Sequence, residues 1–439
     1  LLNYREEDGG FSYWGRREPD VAVTAYALRF LLDASDVIQV DEEVINGARD
    51  WLLKTQRPDG SWRAHEYWGG EDVNRRSALL TAYVTHVLAI SANRSKQDLA
   101  PALKRAFDYL NLRAAEIDEP YLLASYALAA LEVKDTTTAR KIVEKLRSLA
   151  HDEGSAAYWA LETNTPFYGW GIAGRVETTA LVVQALSAFE DDQKLVNRGL
   201  VFLLKQKDRY GVWYSTQATI NVLNAMMALL STNKASGERE SVAEVVVNGR
   251  TVQTITIPPA RELTGPIVVS LSKFLSAGKN RVELKRPSGG PFASIQAVAN
   301  YYVPWSNATE AKGDLRLLAK FDKTQSNTTE EITCHVEAER VGFRGYGMML
   351  AEIGLPPGAD VDRSSLETAM TSSNWSLTRY DVLPDRVVVY IWPRAGGVKF
   401  DFKFRPRFGL TAKTAASVIY DYYNPESRRV VQPSVFRIK

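Results

Sequence analysis

One cysteine, Cys334, stands in the 439 residues. It excludes a disulfide framework within the chain and any metal knuckle built from thiolate pairs. His65, His86, His151 and His335 are the only histidines; none stands at ligand spacing from another, so no metal or other cofactor is expected. No run of 18 apolar residues occurs, so no helical membrane span is expected. An excess of charge is missing as well: 54 Lys and Arg against 52 Asp and Glu leave a net charge of +2. A field that small does not recruit nucleic acid or an anionic surface. The opening LLNYREEDGG has no methionine start and no basic-then-apolar leader, and the chain reads as part of a longer polypeptide.

What is present is a repeat. From Asp41 to Gly70 a helical pattern with Val44, Ala48, Trp51 and Leu52 on one face ends in Lys54, Gln56 and the turn Pro58-Asp59-Gly60, and Trp62 follows. The same order returns at Phe202–Gln206, Tyr210-Gly211 and Trp213, and a repeated helical unit has to be recognised before any motif is read. Apolar or amphipathic segments run roughly over 20–34, 41–56, 75–92, 101–115, 119–133, 136–149, 175–189, 192–206 and 215–231. The first, third, fifth, seventh and ninth are apolar almost all round, and the others carry charge on one face. A helix that is apolar all round must be enclosed, so the first set predicts an inner layer and the second an outer one. The expected fold is an α/α toroid, with nine segments where a closed ring of six pairs would use twelve. The missing helices are expected to lie before Leu1.

After Ser231 the period changes to that of strands. Val242–Val247 and Thr251–Ile257 flank Asn248-Gly249, a strong hairpin signal, and further strands are expected at Ile267–Leu271, Arg281–Lys285 and Ala293–Val303. These make a small β-sandwich or part of one. A third unit from about 307 carries strands at Leu315–Phe321, Glu331–Glu339, Met348–Gly354, Arg386–Trp392, Val398–Arg405 and Ala416–Tyr423, with one short helix near Arg363–Thr371.

At this point the chain resembles the C-terminal part of the α2-macroglobulin and complement thioester proteins, of a bacterial type. LNYREEDGGFSYWG, WLLKTQRPDGSW, RVETTALVVQAL and YGVWYSTQAT resemble that family's thioester domain, and LPDRVVVYI with ASVIYDYYNPE resembles its receptor-binding domain. The resemblance implies a thioester-domain toroid over 1–233, the second half of a CUB-like domain over 234–306, and a receptor-binding macroglobulin-type sandwich over 307–439. It implies a secreted or periplasmic protein that is not an enzyme but an endopeptidase inhibitor. Such a protein traps proteases or tags surface nucleophiles covalently, with preceding macroglobulin domains of the same polypeptide as partners. The family's Cys-Gly-Glu-Gln thioester motif is absent from this chain, which is expected to be inert alone.

The resemblance also assigns roles. His65, before Gly69-Gly70, is the candidate nucleophile that takes the acyl group from the thioester and passes it to hydroxyls; family members with Asn there transfer to amines. A neutral imidazole is needed for this. Glu66 is its neighbour, and His65-Glu66 is no metalloprotease signature because position 69 is glycine. Tyr420, Tyr422 and Tyr423 correspond to aromatics that shield the thioester from water. Glu177 and Thr178 are polar residues on an inner helix, like Thr24 and Thr81, and a buried carboxylate asks for a partner. Trp14, Trp51, Trp62, Trp68, Trp159, Trp170 and Trp213 are expected to brace helix ends. Two alternatives stand beside this reading. One is a terpene cyclase-like toroid, which needs an acidic motif that Asp191-Asp192 and Asp360-Val361-Asp362 do not supply; the other is a non-catalytic interaction module.

Overall fold

The structure, a computed structural model, describes residues 2–15, 17–65, 73–95, 97–169, 171–207, 212–232, 240–259, 262, 267–286, 297–299, 304–305, 313–341, 347–422 and 424–439. It divides into two compact units, one of 1–169, 174–206 and 216–298 and the other of 170–173, 207–215 and 299–439.

The first unit holds the helices α1 (Val21–Ala34), α2 (Glu42–Thr55), α3 (Val73–Ala92), α4 (Ala100–Glu116), α5 (Pro120–Glu132), α6 (Thr136–Ser148), α7 (Gly171–Ser187), α8 (Gln193–Lys205) and α9 (Thr216–Thr232). Starts are set by Asp20, Asp41 and Asp135, whose carboxylates accept from backbone N–H groups of the first turn, and by Pro101 and Pro120, whose missing N–H costs nothing there. The expected two layers are present. α3 and α5 are buried on nearly every side, while α2, α4, α6 and α8 bury one stripe each. α1 and α9 depart from expectation: Phe30 on α1 and Leu223 and Met227 on α9 stay exposed. They are the first and last helices of the series. α3 is enclosed by α1, α4 and α5, whereas α1 packs on α2 and α3.

The repeat has a physical cause. Trp62 and Trp159 are fully buried in the segments that lead from an outer helix to an inner one. Each indole N–H donates to a carbonyl in the last turn of the preceding outer helix, Trp62 to Leu52 at 2.8 Å and Trp159 to Leu146 at 2.7 Å, satisfying a group that the helix end leaves open. Each backbone N–H is taken by a threonine of the next inner helix, Trp62 by Thr81 at 3.0 Å and Trp159 by Thr179 at 3.2 Å. Phe11 meets Thr24 in the same way at 2.8 Å. So Thr24 and Thr81 hold loops, and the matching residue on α7 is Thr179 rather than Thr178. Trp51, whose Nε1 donates to Asp8 at 2.8 Å, also braces a helix. Trp14 does not, being 84% exposed. Trp68 and Trp170 lie outside the described residues.

Two short strands not anticipated, β1 (His151–Glu153) and β2 (Ala156–Tyr158), form a hairpin before α7. β3 (Ser241–Val247), β4 (Arg250–Ile257) and β5 (Val282–Lys285) form a sheet in the order β4-β3-β5. Asn248 and Gly249 take left-handed φ values of 51° and 83°, as the Asn-Gly turn predicts. The strand expected at Ile267–Leu271 is not one. β4 and β5 occupy both edges of β3, Val268 is 84% exposed, and the run finds no ladder among the described residues. Of the expected strand Ala293–Val303, only 297–299 is described, and it is irregular.

The second unit contains β6 (Leu315–Phe321), β7 (Gln325–Ser326), β8 (Ile332–Arg340), β9 (Met349–Gly354), β10 (Ala359–Asp362), α10 (Arg363–Ser372), β11 (Leu377–Leu383), β12 (Arg386–Ile391), β13 (Val398–Pro406), β14 (Leu410–Lys413), β15 (Ser417–Asp421), β16 (Asn424–Val431) and β17 (Val435–Ile438). Sheets β10-β13-β8-β6 and β11-β12-β9-β15-β16 share one core, in which Phe400, Phe402 and Phe404 face Val387, Val389 and Ile391; a third sheet runs β14-β17-β7. Cys334 lies inside this core on β8, where burial pushes its thiol up. It cannot serve as an exposed nucleophile.

Candidate functional site

The segment from Trp62 to His65 is laid along the first three turns of α3 by three side chains. Thr81 takes the Trp62 N–H, Ser77 takes the Ala64 N–H at 2.9 Å, and Arg76 donates through Nη1 to the His65 carbonyl at 3.1 Å. Thr81, Ser77 and Arg76 are buried and His65 is exposed. The sequence thus delivers an imidazole to the surface from a backbone fixed at three successive points.

Around His65 the N-terminal ends of the inner helices converge. A small cavity is lined by Asp20 at the N-cap of α1, His65, Arg76 and Leu80 of α3, and Asn164 and Tyr168 of the loop before α7. Arg76 stands 4.8 Å from the ring centroid of Tyr168, and Tyr168 is held at a φ of 61°, outside the usual range of a bulky residue. One residue earlier on α3, Arg75 donates to Glu119 at the N-cap of α5 at 3.1 Å and to the exposed Glu162 at 3.2 Å, and Glu119 also accepts from the Glu162 N–H at 3.3 Å. Carboxylates at helix N-termini suit the positive end of the helix dipole. Burial nevertheless pushes Asp20 up, with the backbone bonds of Val23 and Ala22 and the charges of His65 and Arg76 pulling it back. Glu119 is fully buried, and desolvation carries it to about 7 against the pull of Arg75.

Glu119 makes stability depend on pH. Its folded value of about 7 lies above the ordinary 4.5, so the folded state holds the proton more tightly and stability falls as pH rises between those values. His86, buried on α3, is depressed to about 3 by burial and by Arg29 and gives the opposite slope between about 3 and 6.5. The two offset each other from about 4.5 to 6.5. Glu119→Gln isolates one of them. The stability of the variant relative to the parent chain is expected to rise by on the order of 3 kcal/mol between pH 4.5 and pH 8 in urea melts. A difference that does not change with pH contradicts the assignment.

The other expected site residues are placed as follows. Glu177 is buried on α7 and reaches back to the loop before it: a Cβ on Gly169 would stand 2.6 Å from Glu177 Oε1 and 2.7 Å from Thr165 Oγ1. It therefore shares with the His65 cavity the 165–169 loop that carries Tyr168. Thr178 is buried on the same helix, and its hydroxyl has no partner among the described residues. Tyr420 and Tyr422 belong to the second unit. Tyr420, on β15 next to the core residue Ile419, donates to Glu352 at 3.0 Å, and Tyr422, in the turn just after β15, is half exposed with its ring 6.4 Å from that of Tyr390. Glu66, Gly69, Gly70 and Tyr423 lie outside the described residues. Among the described residues no group of histidine, cysteine or carboxylates could hold a metal, and no helix is long and apolar enough to cross a membrane. Asp20, Arg76 and Glu119 were not anticipated. Asp20 and the Glu119-Pro120 pair read simply as helix starts, and Arg76 as one charge at the edge of an apolar run.

Helices in two layers, with buried Trp62 and Trp159 tying α2 to α3 and α6 to α7, followed by mainly antiparallel sheets with one short helix, fit the thioester-domain and macroglobulin class. Residues 1–229 match the A-macroglobulin TED domain and residues 345–434 the A-macroglobulin receptor binding domain. The chain belongs to the A-macroglobulin family, which displaces the cyclase alternative. Complement C3 of Oncorhynchus mykiss is 27% identical over 456 residues, covering 96% of this chain and 26% of that protein. Thioester-containing protein 1, allele R1, of Anopheles gambiae is 23% identical over 440 residues, covering 96% of this chain and 30% of that protein. In fold, the native alpha-2-macroglobulin of Escherichia coli, from domain MG7 to the C-terminus, matches with a TM-score of 0.55 at 13% identity, over 100% of this chain and 66% of that one. The chain thus spans between a quarter and a third of the length of these two curated relatives.

Proposed function

We propose that this chain is the acyl-transfer and regulatory C-terminal portion of a secreted or periplasmic thioester protein that traps proteases or tags surfaces covalently. It acts as an inhibitor rather than a turnover enzyme. The observation that carries the reading is His65, an exposed imidazole on a backbone fixed by Thr81, Ser77 and Arg76 at the converging ends of the inner helices. Within the proposal, residues 1–233 act as the thioester domain, 234–306 as the second half of a CUB-like domain, and 307–439 as the receptor-binding domain. The acyl donor comes from another part of the polypeptide, because Cys334 is the only cysteine here and is buried. The His65 imidazole attacks the thioester carbonyl, forming a C–N bond while the C–S bond breaks and sulfur leaves as thiolate. The thiolate then takes the proton of an incoming hydroxyl, whose oxygen displaces the imidazole and forms an ester. Tyr420 and Tyr422, with Tyr423, are proposed to keep water from the thioester before activation.

Methylamine tests the donor. Added to the full-length parent polypeptide, it is expected to release one thiol per chain as it forms an amide. No thiol release from the folded parent contradicts the proposal.

A further inference from the structure

The second unit buries an ion pair that its core does not require. Asp421, the last residue of β15, accepts from Arg340, the last residue of β8, through Nη2 at 2.8 Å. β8 and β15 belong to different sheets, and only 11% of the arginine side chain and 6% of the aspartate are exposed. Apolar residues of the same size would hold two sheets together about as well, so stability alone does not call for such a pair. A third residue engages it. Tyr214 belongs to the 207–215 segment of the same unit, and its hydroxyl donates to Asp421 Oδ2 at 3.2 Å, with Oδ1 at 3.4 Å. Gly347 leaves the hydroxyl its room, since a Cβ there would stand 3.0 Å from it. Burial and then the charge of Asp421 push the Tyr214 phenol up against the pull of Arg340, so it keeps its proton and stays a donor.

The chemistry makes this contact separable. When Tyr214 withdraws, Arg340 still compensates Asp421 and no buried charge is left unpaired; what is lost is the hydrogen bond from phenol to carboxylate. We infer that Arg340 and Asp421 form a socket for the Tyr214 hydroxyl, a reversible latch that holds the 212–215 segment on the sandwich. Trp213, almost fully buried beside Tyr214 in that segment, is held in place with it. Asp421 stands between Tyr420 and Tyr422 in the chain, so the latch closes next to the residues proposed as the shield. That link rests on the shield reading; the latch itself does not.

Tyr214→Phe in the intact chain is the test. It keeps the ring and removes only the hydroxyl, so a role in packing alone predicts no change. N-chlorosuccinimide oxidises accessible indoles, and peptide mass mapping reads each tryptophan separately. When oxidation is slow beside opening, the Trp213 rate follows the fraction of time the latch is open. The expected result is a Trp213 rate raised about tenfold, the worth of a hydrogen bond to a charged group. Trp375, 85% exposed in the same unit, and the fully buried Trp62 are expected to keep their rates, and the melting curve its midpoint. A Trp213 rate equal to that of the unsubstituted chain overturns the inference, and so does a matching rise at Trp62, which would mark general loosening. In the parent polypeptide, without protease or amine, the same variant is expected to release its thiol to water faster. Faster oxidation of Trp213 with unchanged release would sink the link to the shield alone. No release even with methylamine would sink the donor reading and leave the Trp213 result standing.

Discussion

Gly60→Ala is expected to cost the helical unit about 4 kcal/mol or more, among the largest effects of any single substitution. Gly60 sits at a φ of 88°, and a Cβ there would stand 2.1 Å from the carbonyl oxygen of Arg105 and 2.4 Å from its carbon. Both are backbone atoms of α4 and cannot swing aside as a side-chain tip does. The turn is also stapled: Gln56 donates through Nε2 to the Gly60 carbonyl at 3.1 Å and to the Ala102 carbonyl at 3.0 Å, while Arg105 donates to Gln56 Oε1 at 2.6 Å. Moving the turn off α4 breaks these bonds and pulls on Trp62, whose burial alone contributes roughly 1.5–3 kcal/mol. Gly154→Ala separates the two components. It has a φ of 61° with nothing within 4 Å of its Cβ, so it reports backbone strain alone, about 1 kcal/mol. Denaturant melts of the two variants check the account. Equal costs would mean that the approach to α4 carries no energy.

His65→Ala has the largest expected effect on function. Under the proposed transfer, the imidazole would divide one difficult step, direct attack of a weak hydroxyl nucleophile on the thioester, into two easier ones and produce a thiolate base at the place of attack. Removing it is expected to slow ester formation about a hundredfold or more. Amines are better nucleophiles and attack the thioester without help, so amide formation continues. The substitution is expected to leave the fold intact, because Thr81, Ser77 and Arg76 hold the segment through main-chain atoms and the side chain is exposed.

The helices were legible because each writes its burial into a stripe or, for α3 and α5, an apolar surface on all sides. The Gln, glycine-turn and Trp repeat was legible as a pattern, but its cause was not: Trp62 to Leu52, Trp62 to Thr81 and Gln56 to Ala102 are contacts between elements, and no local periodicity encodes them. The same holds for the site. His65 stood out through resemblance, whereas Asp20, which lines the same cavity, carries only the signature of an N-cap. Among the strands, β8, β12 and β13 alternate or run apolar and were found. β11 and β16 were missed, their LTRYDVL and NPESRRVV being polar outer strands of their sheet. Ile267–Leu271 was over-read for the converse reason, an apolar run that no strand among the described residues receives.

The most direct test is the ratio of ester to amide formed by the activated parent, with glycerol and methylamine as acceptors, with and without His65→Ala. A collapse of the glycerol ester with the methylamine amide preserved is predicted. Equal slowing of both, or no slowing of either, would contradict the assignment of His65 as the acyl-transfer imidazole.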